Sequence, residues 1–215
     1  MSVQAYDIIG DIHGHADELV KLLTHLGYKH SSGGYSHESR KVIFLGDFID
    51  RGEKRVQQKQ VLTIVMDMVQ HENALAVMGN HEFNALAYHT EHDGQFLRPH
   101  TSANYDQHRA FLNEFPDDSE DKSAVLDFFY NLPLWLELDG LRAIHACWDD
   151  KHISVLRALC PSIRLDKELL IEASTKGTQA YQSIEVLLKG FEYGLPEGIG
   201  FYDKGGKQRT AARLQ

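Results

Sequence analysis

Short apolar runs alternate with segments of helical period along the first part of the chain. Ala5-Tyr6-Asp7-Ile8-Ile9 reads as a short buried strand. Leu19, Leu22, Leu23 and Leu26 then recur at helical spacing, which predicts a helix over 15–26. The same pass is made twice more. A strand over 41–45 precedes a helix over 56–70, with Val61, Ile64, Val65, Met68 and Val69 on one face. A strand over 74–78 precedes a helix that begins near Asn80. Strand, loop and helix in threefold repetition predict an α/β fold with a largely parallel first sheet. Residues 84–133 read mostly as helix and loop. Beyond them, 134–138 and 141–146 read as strands joined by an Asp139-Gly140 turn. Helices are predicted over 151–159, 165–175 and 178–188. Gly205-Gly206 marks a further hairpin turn after a strand arm at 198–203. No repeat or linker divides the chain, so residues 1–215 are read as one domain.

The polar residues that interrupt this pattern are concentrated at three places. Gly10-Asp11-Ile12-His13-Gly14, Gly46-Asp47-Phe48-Ile49-Asp50-Arg51-Gly52 and Gly79-Asn80-His81-Glu82 each follow a predicted strand. In open α/β sheets ligands bind at the carboxyl ends of strands, and the helices that follow bring partly positive N-termini. Asp11 and His13 are two residues apart, so extended backbone points both the same way. Asp47 offers two carboxylate oxygens, enough to bridge two ions. Asn80 offers a carbonyl oxygen, and His145 an imidazole just past a predicted strand. Oxygen and nitrogen donors without thiolate suit manganese, iron or zinc better than calcium or a soft metal. Two such ions ~4 Å apart can clamp a phosphoryl group for in-line attack. Any one segment alone is equally well an ordinary Gly-Asp turn; three in series at strand ends make a site.

Composition narrows the partners. The chain has 215 residues, 42% hydrophobic and 25% charged, with a formal net charge of -9. That is enough apolar material for a buried core. The acidic balance argues against nucleic acid and against anionic membrane surfaces. A phosphate substrate therefore needs positive charge supplied locally. No apolar run nears the ~20 residues that span a bilayer, and no basic-then-apolar leader follows Met1. Cys147 and Cys160 form no CxxC pair. A cytoplasmic protein is expected.

Taken together, the GDIHG, GDFIDRG and GNHE segments with downstream His145 resemble the signature of phosphoprotein-phosphatase-like metallophosphoesterases of the calcineurin-like superfamily. The resemblance implies an αββα sandwich of two packed β-sheets flanked by helices. It implies two divalent ions, Mn2+ by preference with Fe or Zn as alternatives. Asp11 and His13 would hold one ion, Asp47 would bridge, and Asn80 and His145 would hold the other. By the same resemblance, hydroxide activated by the dinuclear centre attacks phosphorus, and Arg51 grips the phosphate oxygens. His81 protonates the leaving oxygen, and Asp50 orients His81. Asn80 would also touch substrate, and Arg98 is a further candidate phosphate contact on the loop after the third motif. The substrate is a phosphorylated molecule, either a phosphoserine or phosphothreonine protein or a dinucleoside polyphosphate.

One feature departs from the family pattern. A late metal-binding histidine is absent, because His152 is the only histidine after His145 and stands too close to it. The expectation is a C-terminally shortened chain whose second sheet and second metal site are incomplete. The rival reading is a catalytically weakened phosphatase-like binding module. Glu82 is read as serving its helix N-terminus. His89, His92, His100 and His108 match no compact ligand spacing and are expected mostly in solvent. His152 is expected at a surface helix start, and Cys147 and Trp148 as packing around the site.

Overall fold

The structure, a computed structural model, describes residues 4–51, 57–117, 119–202, 206 and 208–214. Strand Ala5–Ile9 (β1) leads to helix Ala16–His25 (α1), then to a small hairpin of Lys29–Ser31 (β2) and Gly34–Ser36 (β3). Arg40–Phe44 (β4), helix Gln58–Gln70 (α2), Ala74–Ala76 (β5) and helix Asn80–His89 (α3) follow. Next come Glu91–His92 (β6), Gln95–Phe96 (β7), and helices Ser102–Glu114 (α4) and Glu120–Asn131 (α5). The hairpin Trp135–Leu138 (β8) and Leu141–Ile144 (β9) precedes helices Asp150–Leu159 (α6), Lys167–Ser174 (α7) and Gln179–Lys189 (α8). Phe191–Gly194 (β10), Phe201–Tyr202 (β11), Gln208–Arg209 (β12) and Ala211–Leu214 (β13) complete the described chain.

β1, β4 and β5 form a parallel sheet in that order. Its register aligns the strand ends: Ile9 lies opposite Phe44, and Phe44 opposite Ala76. The three polar segments therefore leave the sheet from one edge. Val42, Ile43 and Phe44 are fully buried, as expected for a central strand covered on both faces. One core joins the sheet to Leu19 and Leu23 of α1, Val61 and Val65 of α2, and Trp135 of β8. It extends to Leu156, Leu170 and Leu187 of the C-terminal helices.

The α/β class and the parallel first sheet are as predicted. Among the described residues, the later strands lie outside that sheet as separate antiparallel pairs, β8 with β9 and β10 with β13. The expected tail hairpin is present as β11 with β12, where Phe201 faces Arg209; residues 203–205, including Gly205, lie outside the described residues. Leu22 departs from the predicted helix face and is 40% exposed. The strands β2, β3, β6 and β7 were not predicted, since they are two or three residues long and largely polar.

Candidate metal centre

The loop after β4 is built tightly against the loops after β1 and β5. The backbone N–H groups of Ile12 and His13 both donate to the Asp47 carbonyl, at 3.0 and 2.9 Å, and Gly14 N donates to Phe48 O at 2.8 Å. Gly46 and Gly79 meet so closely that a Cβ on Gly46 would lie 2.3 Å from Gly79 N. Here glycine is required by space. Four non-glycine residues of the same loops have positive φ: His13 at 45°, Asp47 at 54°, Asp50 at 71° and Arg51 at 56°. Such conformations cost about 1–3 kcal/mol each and persist where surrounding contacts over-determine them.

Glu82 supplies much of that determination. It is fully buried in the first turn of α3. It accepts from Gly79 N at 3.0 Å, as a helix-capping residue would. It also accepts from Asp47 N and Phe48 N, both at 2.8 Å. Its role is thus wider than expected, because one carboxylate ties the second and third motifs together. Burial and the neighbouring Asp47 carboxylate push its pKa up to about 7, against the pull of the backbone donors.

The imidazoles around Asp47 are oriented by backbone carbonyls. His13 Nδ1 donates to Ile49 O at 2.8 Å, and His145 Nδ1 donates to Leu45 O at 2.6 Å. A neutral ring so fixed has its Nε2 lone pair free, the arrangement of metal-binding histidines. Those lone pairs face other acceptors. His13 Nε2 lies 3.5 Å from Asp11 Oδ2 and 3.7 Å from Asp47 Oδ2. His145 Nε2 lies 3.6 Å from Asp47 Oδ1 and 3.3 Å from Asn80 Oδ1. Acceptors converging on acceptors repel one another unless a cation lies between them. Among the described residues, His13 Nε2 is a buried atom with no hydrogen-bond partner. The donor atoms of His13, Asp47 and His81 lie close enough together to share an ion, as do those of Asp11, Asp47 and His145. Asp47 belongs to both groups, one oxygen toward each. Burial lowers the pKa of His13, against its carbonyl bond, with help from His81 and Arg51. That favours the neutral, ligating ring.

His81 faces the same space but is held differently. It is fully buried, and its Nδ1 lies 2.8 Å from Asp50 Oδ2. Its Nε2 has no hydrogen-bond partner among the described residues and lies 3.8 Å from Asp47 Oδ2. Burial opposes its charging, but the Asp50 bond and the carboxylates of Asp47, Asp50 and Glu82 prevail and raise its pKa. Burial likewise opposes ionisation of Asp50, and there the bonds from His108 and His81 prevail and lower its pKa.

A model of the family described as calcineurin-like phosphoesterase matches residues 6–176. The chain belongs to that family. A relative from Oceanobacillus iheyensis, named as the asymmetrical bis(5'-nucleosyl)-tetraphosphatase PrpE, is 32% identical over 145 residues, 65% of this chain and 54% of that protein. A protein of the same name from Halalkalibacterium halodurans is 43% identical over 77 residues, 35% of this chain and 30% of that one. The chain thus spans between about a third and about half of the length of these curated relatives, 30% and 54%. Among solved structures, the cold-active protein-tyrosine phosphatase of a psychrophilic Shewanella species aligns with a TM-score of 0.52 at 19% identity. The alignment covers 83% of this chain and 56% of that one, and is a likeness of fold.

Among the residues of the phosphoesterase motifs, Asp11, His13, Asp47, Asn80 and His145 lie together around one space. Asp50 and His81 are hydrogen-bonded to each other. Arg51 is exposed, and its charge contributes to the lowered pKa of His13; Gly52 lies outside the described residues. Arg98 is half-buried and bonded to Gln107 of α4. Burial lowers its pKa, while the Asp50 and Glu185 carboxylates favour its charge.

Two histidine expectations need correction. His108 is 4% exposed, and its Nδ1 lies 2.9 Å from Asp50 Oδ1. His89 is half-buried, with Nε2 3.2 Å from His108 Nε2. Burial, with Lys122 and His108, lowers its pKa to about 3. His152 is half-buried on α6 and pairs with Ser183 Oγ of α8 at 3.0 Å. Gln58 escaped the sequence reading altogether. It is fully buried, and its Oε1 accepts from Asp50 N at 2.8 Å. Cys147 and Cys160 are both free thiols. No helix among the described residues is long and apolar enough to cross a membrane.

Proposed function

We propose that this chain is a metal-dependent phosphoesterase. The observation that carries the reading is the convergence of the free His13 and His145 lone pairs on the two oxygens of one buried aspartate, Asp47. Asp11, His13 and Asp47 would hold one divalent ion, and Asp47, Asn80 and His145 the other. Mn2+ is the preferred ion, with Fe or Zn as alternatives. Bound there, two ions supply an activated water and positive charge for a phosphoryl group.

The remaining steps belong to the chain itself. The exposed Arg51 guanidinium reaches for the phosphate oxygens, where its planar fork matches two acceptors. His81 keeps its proton because Asp50, Asp47 and Glu82 surround it, and delivers it from Nε2 to the departing oxygen. Asp50 fixes the ring through Nδ1. Asn80 and Arg98 are further phosphate contacts. The relatives' names favour a dinucleoside polyphosphate as substrate over a phosphoprotein.

The test is hydrolysis of p-nitrophenyl phosphate, diadenosine tetraphosphate and a phosphoserine peptide by the purified chain with Mn2+, with bound metal counted in parallel. Turnover that His81→Ala lowers by about 100-fold or more supports the reading. The rank of the three substrates assigns the class. No turnover with Mn2+, Fe2+ or Zn2+, together with less than one bound ion, favours the binding-module reading instead.

A further inference from the structure

Asp50 is held by more than its histidine partner requires. It is 2% exposed and has a φ of 71°. His81 Nδ1 lies against one of its oxygens and His108 Nδ1 against the other, at 2.8 and 2.9 Å. A carboxylate held at one oxygen can still rotate about its terminal bond. Held at both by rigid rings, it rotates only by giving up a buried hydrogen bond.

His108 is itself fixed. Its ring stacks on Phe111 at 4.7 Å with a 16° tilt, and its far nitrogen meets His89. The helix that carries it, α4, grips Asp50 a second time. Glu114 at the end of α4 accepts from Gln58 N and Lys59 N at 2.9 and 2.8 Å, capping α2. Gln58 in turn accepts from Asp50 N. One helix outside the three motifs thus constrains both the side chain and the backbone of Asp50.

We propose, on the reading that His81 is the acid of a phosphoesterase, that His108 is a positioning residue. It holds Asp50 at the angle that aims His81 Nε2 at the leaving oxygen. His108 touches neither substrate nor metal, so its loss weakens proton delivery and leaves phosphate binding intact. The cost falls on substrates whose leaving oxygen needs a proton.

The test compares phenyl phosphate, a poor leaving group, with p-nitrophenyl phosphate, a good one, in His108→Leu, His108→Asn and His108→Gln. The asparagine amide can donate from nearly the position of Nδ1; the glutamine amide lies farther out. We expect His108→Leu and His108→Gln to lower kcat on phenyl phosphate by about 10-fold or more, with KM within about twofold and p-nitrophenyl phosphate little affected. His108→Asn should recover most of the loss. Equal losses on both esters, no loss at all, or asparagine no better than glutamine would overturn the proposal. If His108→Leu does not fold, the asparagine and glutamine pair decides. A second readout needs no turnover. The low-field Nδ1 proton of His81 in the NMR spectrum should move in His108→Gln and stay in place in His108→Asn. A wild-type chain inactive on both esters defeats the proposed reaction. A His81 proton unmoved in His108→Gln defeats the positioning role by itself.

Discussion

Glu82 concentrates several requirements of the site in one side chain. Three buried backbone N–H groups from two loops depend on it. Glu82→Ala leaves them without an acceptor, at about 1–3 kcal/mol each if no water replaces it. We expect a loss of at least about 2 kcal/mol by urea denaturation, well beyond a typical surface change. Its titration has a definite sign. Its pKa is raised from 4.5 to about 7, so the folded metal-free chain binds an extra proton between those values. Its contribution to stability is therefore complete below pH 4.5 and is lost as pH rises through 7. Glu82→Gln, which cannot ionise, should flatten that part of the stability–pH profile measured with chelator present. The candidate ligands Asp11, His13, Asp47 and Asn80 were legible at this scale because each stands next to a glycine in the segment after a strand, and His145 because it directly follows β9. His108 was not, since its partner Asp50 is 58 positions away and nothing local to Ser102–Glu114 announces a buried donor.

The predicted elements that place the site were read from period alone. β1, β4, β5 and the starts of α1 and α3 agree with the hydrophobic pattern to within about two residues, the ordinary precision of such boundaries. What the pattern could not give was the approach of one loop to another. Gly46 and Gly79 touch across a sheet edge, and a Cβ on Gly79 would lie 2.4 Å from both Asp47 N and Asp47 Oδ1. Gly79→Ala should therefore displace Asp47. We expect it to abolish tight metal binding, measured by isothermal titration, while far-UV circular dichroism still reports a folded α/β chain. Gly194→Ala is a suitable control for glycine removal, because its φ, like that of Gly79, is not positive, yet no atom within 4 Å crowds its Cβ position. The pairing of β10 with β13 was also beyond local pattern, since it joins segments separated by another hairpin.

At the scale of the molecule, the site gathers negative charge in a chain whose formal net charge is already -9. Bound divalent ions would relieve repulsion among Asp11, Asp47 and Glu82, and stabilise the folded state by mass action. The gain depends on pH, because ligands must be deprotonated and protons leave as metal enters. We therefore expect millimolar Mn2+ to raise the thermal midpoint more at pH 8 than at pH 5, and Asp47→Asn to remove most of that difference. An equal rise at both values would point to weak surface binding. The family and the α/β class were legible at this scale because the motifs recur in order along the chain. The anchoring of α4 on Asp50 was not, because it depends on how separate helices pack.

The meeting of Gly46 with Gly79 also bears on how the sheet reaches its native pairing. Both residues lie just beyond aligned strand ends, where Phe44 stands opposite Ala76. A slip of one residue in β4 shifts the strand by about 3.3 Å and brings Leu45 or Asp47 to the place where a Cβ cannot fit. That contact is a steric checkpoint on alignment. A slipped register is therefore opposed by backbone collision whether or not an ion is bound, and strand pairing and ligand spacing are tied to the same contact.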